Sequence, residues 1–408
     1  MNAENILADI ASRCAVNKRL RIAVLTRNFS PTAGGAERYA IAMVEQLASR
    51  HDIKVFAQTI EHSWPNVKYH IIGPRLKRPR WLNQLWFAAL TWWATRRGFD
   101  VVHSHENTWH GNVQTVHVMP VRFNLFKDQF KKTKLQRLLN VLNILSSLRL
   151  MSYLVLEYLR FLPRPGRQVI ATSQMLRDVL AECYPAAAGM TSVVTPGIDL
   201  PPVEQSPAGR AESRRSLGLP QQGLCLLFVG NDFKKKGLES LIAALTLLPD
   251  KVFLTVVGDV GQSDPFKQQA STAGLSHRMF FLGSLMDMTL AYKSASCLVH
   301  PTREDTFAMV VLEAMAFGLP VIVSNAKYCG IAALLTNQLN ALLLSDPYDA
   351  SEIAKYISRI LIGDTSVKVL GQQARSFAEK FDWPNLANKQ ESVYFKTSAF
   401  KPNSVKSL

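Results

Sequence analysis

Two series of short apolar segments, each alternating with longer segments of helical character, constrain the fold of this chain more than any other feature. Near-continuous runs of Val, Ile and Leu predict strands buried on both faces of a parallel sheet. Their alternation with helices predicts doubly wound α/β architecture. The predicted strands are residues 22–26, 53–57, 101–103, 113–118, 169–172 and 192–195, followed by 224–229, 252–257, 279–282, 297–300, 320–323 and 341–344.

The two series are separated by residues 196–223, which are rich in proline and glycine. This composition is typical of an interdomain linker, with one short helix predicted near residues 211–217. A chain of 408 residues also exceeds the size at which single cores usually stop growing, about 250–300 residues. We therefore predict two Rossmann-like domains facing a cleft, with ligands bound where strands end.

Composition limits the class of protein. Apolar residues make up 48% of the chain, as expected for a globular protein, and the net charge of +16 favours polyanionic partners. Nucleic acid, an anionic membrane and phosphorylated small molecules all fit that charge. Five scattered cysteines without a C-x-x-C pair argue against a zinc site or a disulfide framework. With neither a secretory signal nor a transmembrane segment predicted, a cytoplasmic location is expected.

The first loop of interest, residues 27–38, follows a predicted strand and opens a helix. Gly34 and Gly35 would let the backbone approach a ligand closely, and helix-start amides favour anions. The loop departs from G-x-G-x-x-G, which argues against a dinucleotide site. A flexible turn capped by glycine is the alternative.

The second loop, residues 230–237, places Lys234, Lys235 and Lys236 between a strand and a helix. Clustered cations at a helix start repel one another and oppose the helix dipole. A bound diphosphate would remove both penalties, whereas a solvated basic turn is the alternative.

The third loop follows the strand that ends at His300, and a helix is predicted to begin near Ala308. Acidic residues line the loop, and Glu313 lies within an otherwise apolar helix. A buried carboxylate needs hydrogen-bond partners, which sugar hydroxyls could provide. The alternative is a glutamate turned to solvent.

Taken in order, these loops resemble the retaining glycosyltransferases of family 4, which have the GT-B fold. The resemblance runs from about Arg21 to Tyr394 and looks closest to the lipopolysaccharide core glucosyltransferases. The matching motifs are Gly34-Gly35, the turn Thr195–Asp199, Lys236-Gly237, Asp305 with Glu313, the loop Tyr328-Cys329-Gly330, and Phe381-Asp382-Trp383.

The resemblance implies a role for each matching residue. Lys236, helped by Lys235, would hold the donor diphosphate, and Glu313 would accept hydrogen bonds from the ribose. Asp305 and His117 would contact the donor sugar. Gly34 and Gly35 would let the first domain close on the phosphates, and the backbone amides of Phe307, Ala308, Met309 and Val310 would face sugar and phosphate.

The resemblance also implies domain boundaries. Residues 1–196 would form the acceptor-side domain, residues 197–380 the nucleotide-sugar domain, and residues 381–408 a helix returning to the first domain.

Some positions depart from the family pattern. Asp305 stands where glutamate is usual, so the neighbouring Glu304 competes for its role, and Ala308 stands where glycine is common. No carboxylate is placed as a covalent nucleophile, so a same-face retaining route is expected. No Asp-x-Asp motif is apparent, and neither a metal nor another cofactor is expected.

Two basic and aromatic stretches of the first domain, residues 81–97 and 122–137, predict contact with an anionic membrane. A packed helix with a solvated basic face is the alternative. The first stretch holds Trp81, Trp86, Phe87, Trp92, Trp93, Arg96 and Arg97, and the second holds Arg122, Lys127, Lys131, Lys132, Lys134 and Arg137.

The predicted function is transfer of a hexose from a UDP- or GDP-sugar to a lipid-linked, lipopolysaccharide or exopolysaccharide acceptor at the inner face of the cell membrane. A nucleotide-sugar epimerase of similar fold would lack the arrangement of Asp305 and Glu313. A basic nucleic-acid-binding protein is suggested by charge alone and would need base-stacking aromatics or a binding module, neither of which is apparent.

Overall fold

The computed structural model describes residues 19–31, 34–73, 78–126, 133–202, 206–285, 287–363 and 365–400. All twelve predicted strands are present, each shifted by no more than two residues at either end. The chain divides into two units. Described residues within 19–172, 176–195 and 383–400 form the first, and those within 173–175 and 196–382 form the second.

The first unit is built on a seven-stranded parallel sheet of order β5-β3-β1-β6-β7-β8-β9. A separate two-stranded sheet joins β2 and β4. The strands are β1 Arg21–Leu25, β2 Asn28–Phe29, β3 Asp52–Ala57, β4 Thr59–Ile60, β5 Lys68–Ile71, β6 Val101–Ser104, β7 Val113–Val116, β8 Gln168–Ala171 and β9 Thr191–Val193. The helices are α1 Gly35–Leu47, α2 Arg80–Thr95, α3 Val121–Phe126, α4 Lys134–Ser146, α5 Leu148–Phe161, α6 Gln174–Cys183 and, from the end of the chain, α14 Trp383–Ala399.

Burial of the strand residues explains why β1 was predicted and β5 was not. Central β1 pairs with β3 on one side and β6 on the other, and residues Ile22 to Leu25 are almost fully buried. Burial on both faces requires apolar residues throughout, which gives the readable pattern. Edge strand β5 pairs only with β3, and its polar residues are largely exposed. This strand therefore gave no apolar run and was missed.

Helix α14 belongs to the first unit although it follows the whole second unit in sequence. It packs on α1, where Tyr39 donates a hydrogen bond to Gln390 at 3.2 Å and meets the Trp383 ring edge-on at 6.0 Å. Burying a large aromatic side chain contributes about 1.5–3 kcal/mol, so Trp383 and Tyr39 anchor the last helix.

The second unit is built on a six-stranded parallel sheet of order β12-β11-β10-β13-β14-β15. The short helix predicted near residues 211–217 is present, beginning four residues earlier. The strands are β10 Leu224–Val229, β11 Val252–Val257, β12 Met279–Gly283, β13 Cys297–His300, β14 Val321–Ser324 and β15 Leu342–Leu344. The helices are α7 Pro207–Ser216, α8 Leu238–Leu245, α9 Ser263–Thr272, α10 Thr289–Ser294, α11 Met309–Ala316, α12 Ala350–Ile362 and α13 Thr365–Ala378.

One surface of the first unit is unusually apolar. In α4, Ile144 is buried while most other apolar side chains are exposed, and α4 meets α5 at a bend of 87°. In the part of the chain that the structure describes, no single helix is long and apolar enough to cross a membrane, although α4 and α5 together pass that test of length and composition. The exposed apolar residues are Leu135, Leu138, Leu139, Val141, Leu142, Leu145 and Leu148.

Helix α2 agrees only in part with its predicted interfacial character. Trp86, Trp92 and Trp93 are exposed, and the guanidinium of Arg96 lies 3.7 Å from the Trp93 ring centroid. Phe87 is fully buried and belongs to the core, so its assignment to an interfacial face was wrong. Lys127, Lys131 and Lys132 lie outside the described residues.

Candidate donor site

The lysine-rich turn lies between β10 and α8, where the parallel strand ends. Gly237 has a φ of 82°, and a Cβ there would come within 2.0 Å of the Pro301 carbonyl oxygen. Only glycine therefore allows this turn to pack against the loop that follows β13. Lys234 and Lys235 are exposed, whereas Lys236 is half-buried and directed at that loop.

Asp305 is the partner of Lys236. The Lys236 Nζ donates to Asp305 Oδ2 at 2.5 Å, and the same oxygen accepts from His300 Nε2 at 3.1 Å. Burial alone would raise the pKa of Asp305, but the positive charge of Lys236 and the hydrogen bond from His300 outweigh it and lower that pKa well below its usual range. The contacts with Lys236 and His300 therefore favour the ionised form of this carboxylate.

Glu304, the competitor for the acidic role, makes a different contact. Its Oε1 lies 2.5 Å from Lys235 Nζ, so adjacent carboxylates pair with adjacent lysines. The backbones of the two loops are also joined, because the Arg303 amide donates to the Lys235 carbonyl at 2.9 Å. The lysine turn and the acidic loop thus form one structural element.

Glu313 is the acidic residue of helix α11, whose other residues are apolar. Its neighbours Val311, Leu312 and Ala314 are buried in the core, while Glu313 is half-buried. The hydroxyl of Tyr292, itself buried, donates to Glu313 Oε2 at 2.5 Å. One partner that this carboxylate needs is thus Tyr292, and the role of Glu313 toward sugar hydroxyls stays a prediction.

The backbone conformation of Ala308, which precedes the first residue of α11, explains why glycine is common at this position in the family. Ala308 has a φ of 69°, in the left-handed region that costs a non-glycine residue about 1–2 kcal/mol. The amides of Phe307 and Ala308 donate to Asp305 Oδ1 at 3.3 and 2.8 Å. The amides of Met309 and Val310 lie in the first turn, where helices offer no intrahelical carbonyl.

His117 follows β7 in the first unit and is paired with a second histidine. Its Nε2 lies 3.0 Å from His105 Nδ1, and the Tyr39 ring meets it edge-on at 5.2 Å. Burial, with a contribution from the buried cation of Arg160, lowers the pKa of His117 to about 3. His117 is therefore neutral and can serve as a hydrogen-bonding group but not as a charge.

His103 completes this cluster from β6. Its Nδ1 and Nε2 each lie 2.7 Å from a hydroxyl, those of Tyr394 and Thr115. Tyr394 comes from α14, so the final helix supports the histidine cluster. Sequence analysis missed Tyr394 and Arg160 because their distant partners leave no local pattern.

Gly34 and Gly35 lie at the start of α1, as predicted. A Cβ at Gly34 would come 3.1 Å from Glu37 Oε2, so a side chain there would crowd the first turn. Burial raises the pKa of Glu37. Thr32 and Ala33 of the same loop lie outside the described residues.

The predicted site residues thus lie in two groups. The first group belongs to the second unit: Lys235, Lys236, Asp305 and the amides of residues 307–310 follow strands β10 and β13, and Glu313 lies on the helix after β13. The second group, Gly34, Gly35 and His117, follows strands of the first unit. Across the described ranges, no group of three or more His, Cys, Asp or Glu residues is arranged to hold a metal ion. The described cysteines are buried and form no disulfides: Cys183, Cys225, Cys297 and Cys329.

Two parallel-sheet α/β units, with a lysine turn and an acidic loop at the strand ends of the second, are the architecture of the GT-B fold. Two family models match consecutive parts of the chain. The model described as Glycosyltransferase Family 4 matches residues 33–201, and the model described as Glycosyl transferases group 1 matches residues 209–377. The chain belongs to these glycosyltransferases.

Curated relatives agree with this assignment. The lipopolysaccharide glucosyltransferase WaaG of Escherichia coli K12 is 28% identical over 206 residues, which are 49% of this chain and 54% of that protein. A D-inositol 3-phosphate glycosyltransferase of Xylanimonas cellulosilytica is 28% identical over 244 residues, 57% of this chain and 58% of that protein. The chain thus spans little more than half the length of the curated relatives it matches.

Solved structures share the fold over nearly the whole chain. The crystal structure of WaaG superposes with a TM-score of 0.77 at 21% identity, covering 91% of this chain and 99% of WaaG. Anabaena HepE, solved in complex with UDP-glucose, superposes with a TM-score of 0.70 at 20% identity, covering 93% and 100%. The expected GT-B fold is therefore confirmed.

Proposed function

We propose that this glycosyltransferase transfers a hexose, with retention, from a nucleoside diphosphate sugar to a lipid-linked, lipopolysaccharide or exopolysaccharide acceptor at the cytoplasmic face of the cell membrane. The observation that carries the donor assignment is the ion pair of Lys236 with Asp305, which joins the loops that follow the neighbouring strands β10 and β13. Parallel α/β sheets bind ligands at such edges.

The charges of the site suit a sugar nucleotide. Lys235 and Lys236 would bind the diphosphate, and the first-turn amides of α11 would add neutral donors for phosphate or sugar. Glu313, held by Tyr292, would accept hydrogen bonds from the ribose hydroxyls. HepE, solved with UDP-glucose, supports a uridine donor as the first choice.

The proposed chemistry needs no covalent intermediate. The bond between the anomeric carbon and the leaving phosphate oxygen breaks, and the acceptor hydroxyl oxygen bonds to that carbon on the same face. The hydroxyl proton passes to the leaving phosphate oxygen. Lys236 would stabilise the negative charge that develops there, so catalysis consists of positioning and electrostatic stabilisation.

The diphosphate charge would be balanced by the lysine turn, so we propose that no divalent metal takes part. Activity should then persist in an excess of chelator. Loss of activity with chelator, restored by magnesium or manganese, would contradict the lysine-based account.

The membrane location rests on the apolar surface of α4 and on its charges. No acidic residue lies between positions 129 and 156, whereas Lys134, Arg137 and Arg149 are basic. Exposed leucines flanked by cations suit the interface of an anionic bilayer, where the apolar side chains leave water and the cations meet headgroups. A lipid-linked acceptor would lie at the same surface.

A panel of UDP-, GDP- and ADP-sugars, tested by thermal shift and then by turnover, examines this proposal. A bound nucleotide at about 100 times its Kd should stabilise the folded protein by roughly 2.7 kcal/mol. Stabilisation by at least one sugar nucleotide, followed by transfer to a glycolipid acceptor with retained anomeric configuration, is expected. No stabilisation by any of them, or epimerisation of the sugar without transfer, would refute the proposal.

A further inference from the structure

The carboxylate of Asp305 already accepts four hydrogen bonds from the protein. Its Oδ2 accepts from Lys236 and His300, and its Oδ1 accepts from the amides of Phe307 and Ala308. An ionised carboxylate offers about four acceptor sites. In this arrangement the protein itself fills the positions that a sugar hydroxyl would need.

The backbone of Asp305 is fixed from both sides as well. Its amide donates to the Tyr328 carbonyl at 2.8 Å, and its carbonyl accepts from the Gly330 amide at 2.9 Å. A Cβ at Gly330 would lie 2.0 Å from the Thr306 carbonyl oxygen, so this approach requires glycine. The carboxylate cannot turn toward a ligand without breaking several of these bonds.

His300 is a buried hydrogen-bond donor to Asp305. It ends β13, its side chain is 1% exposed, and its Nδ1 is buried with no hydrogen-bond partner among the described residues. Burial lowers the pKa of His300, so the ring is neutral, and Nε2 carries its proton because a carboxylate oxygen accepts it. Such a ring can act on a ligand only through Asp305.

The lysine side chain is constrained on its other side by Gly230. A Cβ there would lie 2.8 Å from Lys236 Cγ, so the aliphatic stem of Lys236 crosses bare backbone. Its ammonium group then meets Asp305 with 20% of the side chain still exposed. Asp305 takes one of the three donors of the ammonium group, and the other two can serve an anion.

We infer that His300 and Asp305 are positioning residues, which hold the ammonium group of Lys236 for the donor diphosphate, and that Asp305 does not bind the donor sugar. The inference rests on the proposed donor site. Aspartate is one methylene shorter than the glutamate that is usual in the family, so its carboxylate reaches less far from the backbone. The sequence-based role of Asp305 as a sugar ligand is the competing assignment.

Comparing UDP with UDP-glucose separates the two assignments for Asp305, using calorimetric titration of the full chain. If Asp305 acts through Lys236, Asp305→Asn should change the affinity for both ligands by the same factor, since both carry the diphosphate. A change confined to UDP-glucose, or no change for either ligand, would overturn the inference. A wild-type chain that binds neither UDP, GDP nor ADP refutes the proposed function instead.

A double-mutant cycle tests His300. We expect His300→Leu to weaken UDP binding by about threefold to tenfold in the wild-type background, and by less than about twofold in the Lys236→Ala background. Equal losses in both backgrounds would show that His300 acts independently of Lys236, and would overturn its role. His300→Gln keeps an N–H for Asp305 and should retain UDP affinity within about twofold; a tenfold loss in that folded variant would also overturn it.

Discussion

The hydroxyl of Tyr292 in α10 donates a hydrogen bond of 2.5 Å to Oε2 of Glu313 in α11. Tyr292 is buried and stacks on Phe317 at 5.1 Å, so it is a rigid donor. The tyrosine fixes the position of one carboxylate oxygen of Glu313. The hydrogen bond therefore holds a half-buried carboxylate in place on a helix whose other residues pack mostly in the core.

Replacement of Glu313 should therefore affect nucleotide binding and not sugar chemistry. We expect Glu313→Gln to weaken binding of the free nucleotide by at least about tenfold, because a hydrogen bond to a charged group contributes about 1.5–3 kcal/mol. Tyr292→Phe is the matched control and should give a smaller loss, since the carboxylate itself remains. Unchanged nucleotide affinity in Glu313→Gln would remove this residue from the site.

The lysine turn offers a second test with a matched control in the same turn. Lys234 is exposed, whereas Lys236 donates a hydrogen bond to Asp305. We expect Lys236→Ala to reduce turnover by at least about tenfold, corresponding to about 1.4 kcal/mol of lost transition-state stabilisation. Lys234→Ala should retain turnover within about twofold. Steady-state kinetics, with circular dichroism to verify folding, measures both, and equal losses in the two variants would argue for general charge and against a specific contact.

Buried histidines should make stability depend on pH. Burial lowers the pKa of both His103 and His110 to about 3, whereas an unfolded histidine titrates near 6.5. Below about pH 6.5 the unfolded chain binds protons that the folded chain does not, so stability falls as pH falls, by about 1.4 kcal/mol per unit for each histidine until about pH 3.

Replacing one of these histidines should reduce that slope. We expect His110→Gln and, independently, His103→Gln to lower it by about 1.4 kcal/mol per pH unit between pH 6.5 and 5, whatever their effect at pH 7.5. Denaturant unfolding at several pH values measures the slope. Curves parallel to that of the wild type would show that the folded chain protonates these rings normally.

Helix α4 should carry the membrane interaction together with its flanking cations. We expect the chain to sediment with anionic vesicles but not with neutral ones, with binding weakened by salt, since each surface cation contributes about 1 kcal/mol. Leu138→Gln with Leu142→Gln should weaken the part of the binding that resists salt. Lys134→Gln with Arg137→Gln should weaken the part that depends on salt.

A matched control for the leucine variants is Leu247→Gln, because Leu247 is similarly exposed but lies in the second unit. This variant should bind vesicles like the wild type, and all variants should bind the donor nucleotide unchanged. If the wild-type chain does not sediment with anionic vesicles at low salt, the exposed surface of α4 must contact another partner, and a soluble acceptor is favoured.

The sequence predicted the elements of the site well where the pattern was local. Strands such as β10 and β11 were placed at their observed bounds, because a strand buried on both faces shows as an unbroken apolar run. The lysine turn, the loop after His300 and the apolar helix around Glu313 were likewise visible, since each depends on neighbours in sequence.

The partners of those residues were not predictable in the same way. His300 bonds to Asp305, Tyr292 to Glu313, and Tyr394 to His103 across 291 residues. The edge strand β5 was missed because solvent on its outer side removes the need for an apolar pattern. Phe87 was misassigned because an aromatic ring beside tryptophans and arginines shows no sign of which face of α2 it occupies.

The sequence by itself thus determined two parallel α/β sheets, the turns at their strand ends and the chemical types of group found there, because periodicity and turn composition are properties of short segments. Tertiary structure alone decided that Asp305 takes four protein donors, that Lys236 is held on one side, and that the apolar residues of α4 are left exposed. Hydrogen-bond saturation and burial depend on which distant segments come together, and that is settled only when the sheets and helices pack.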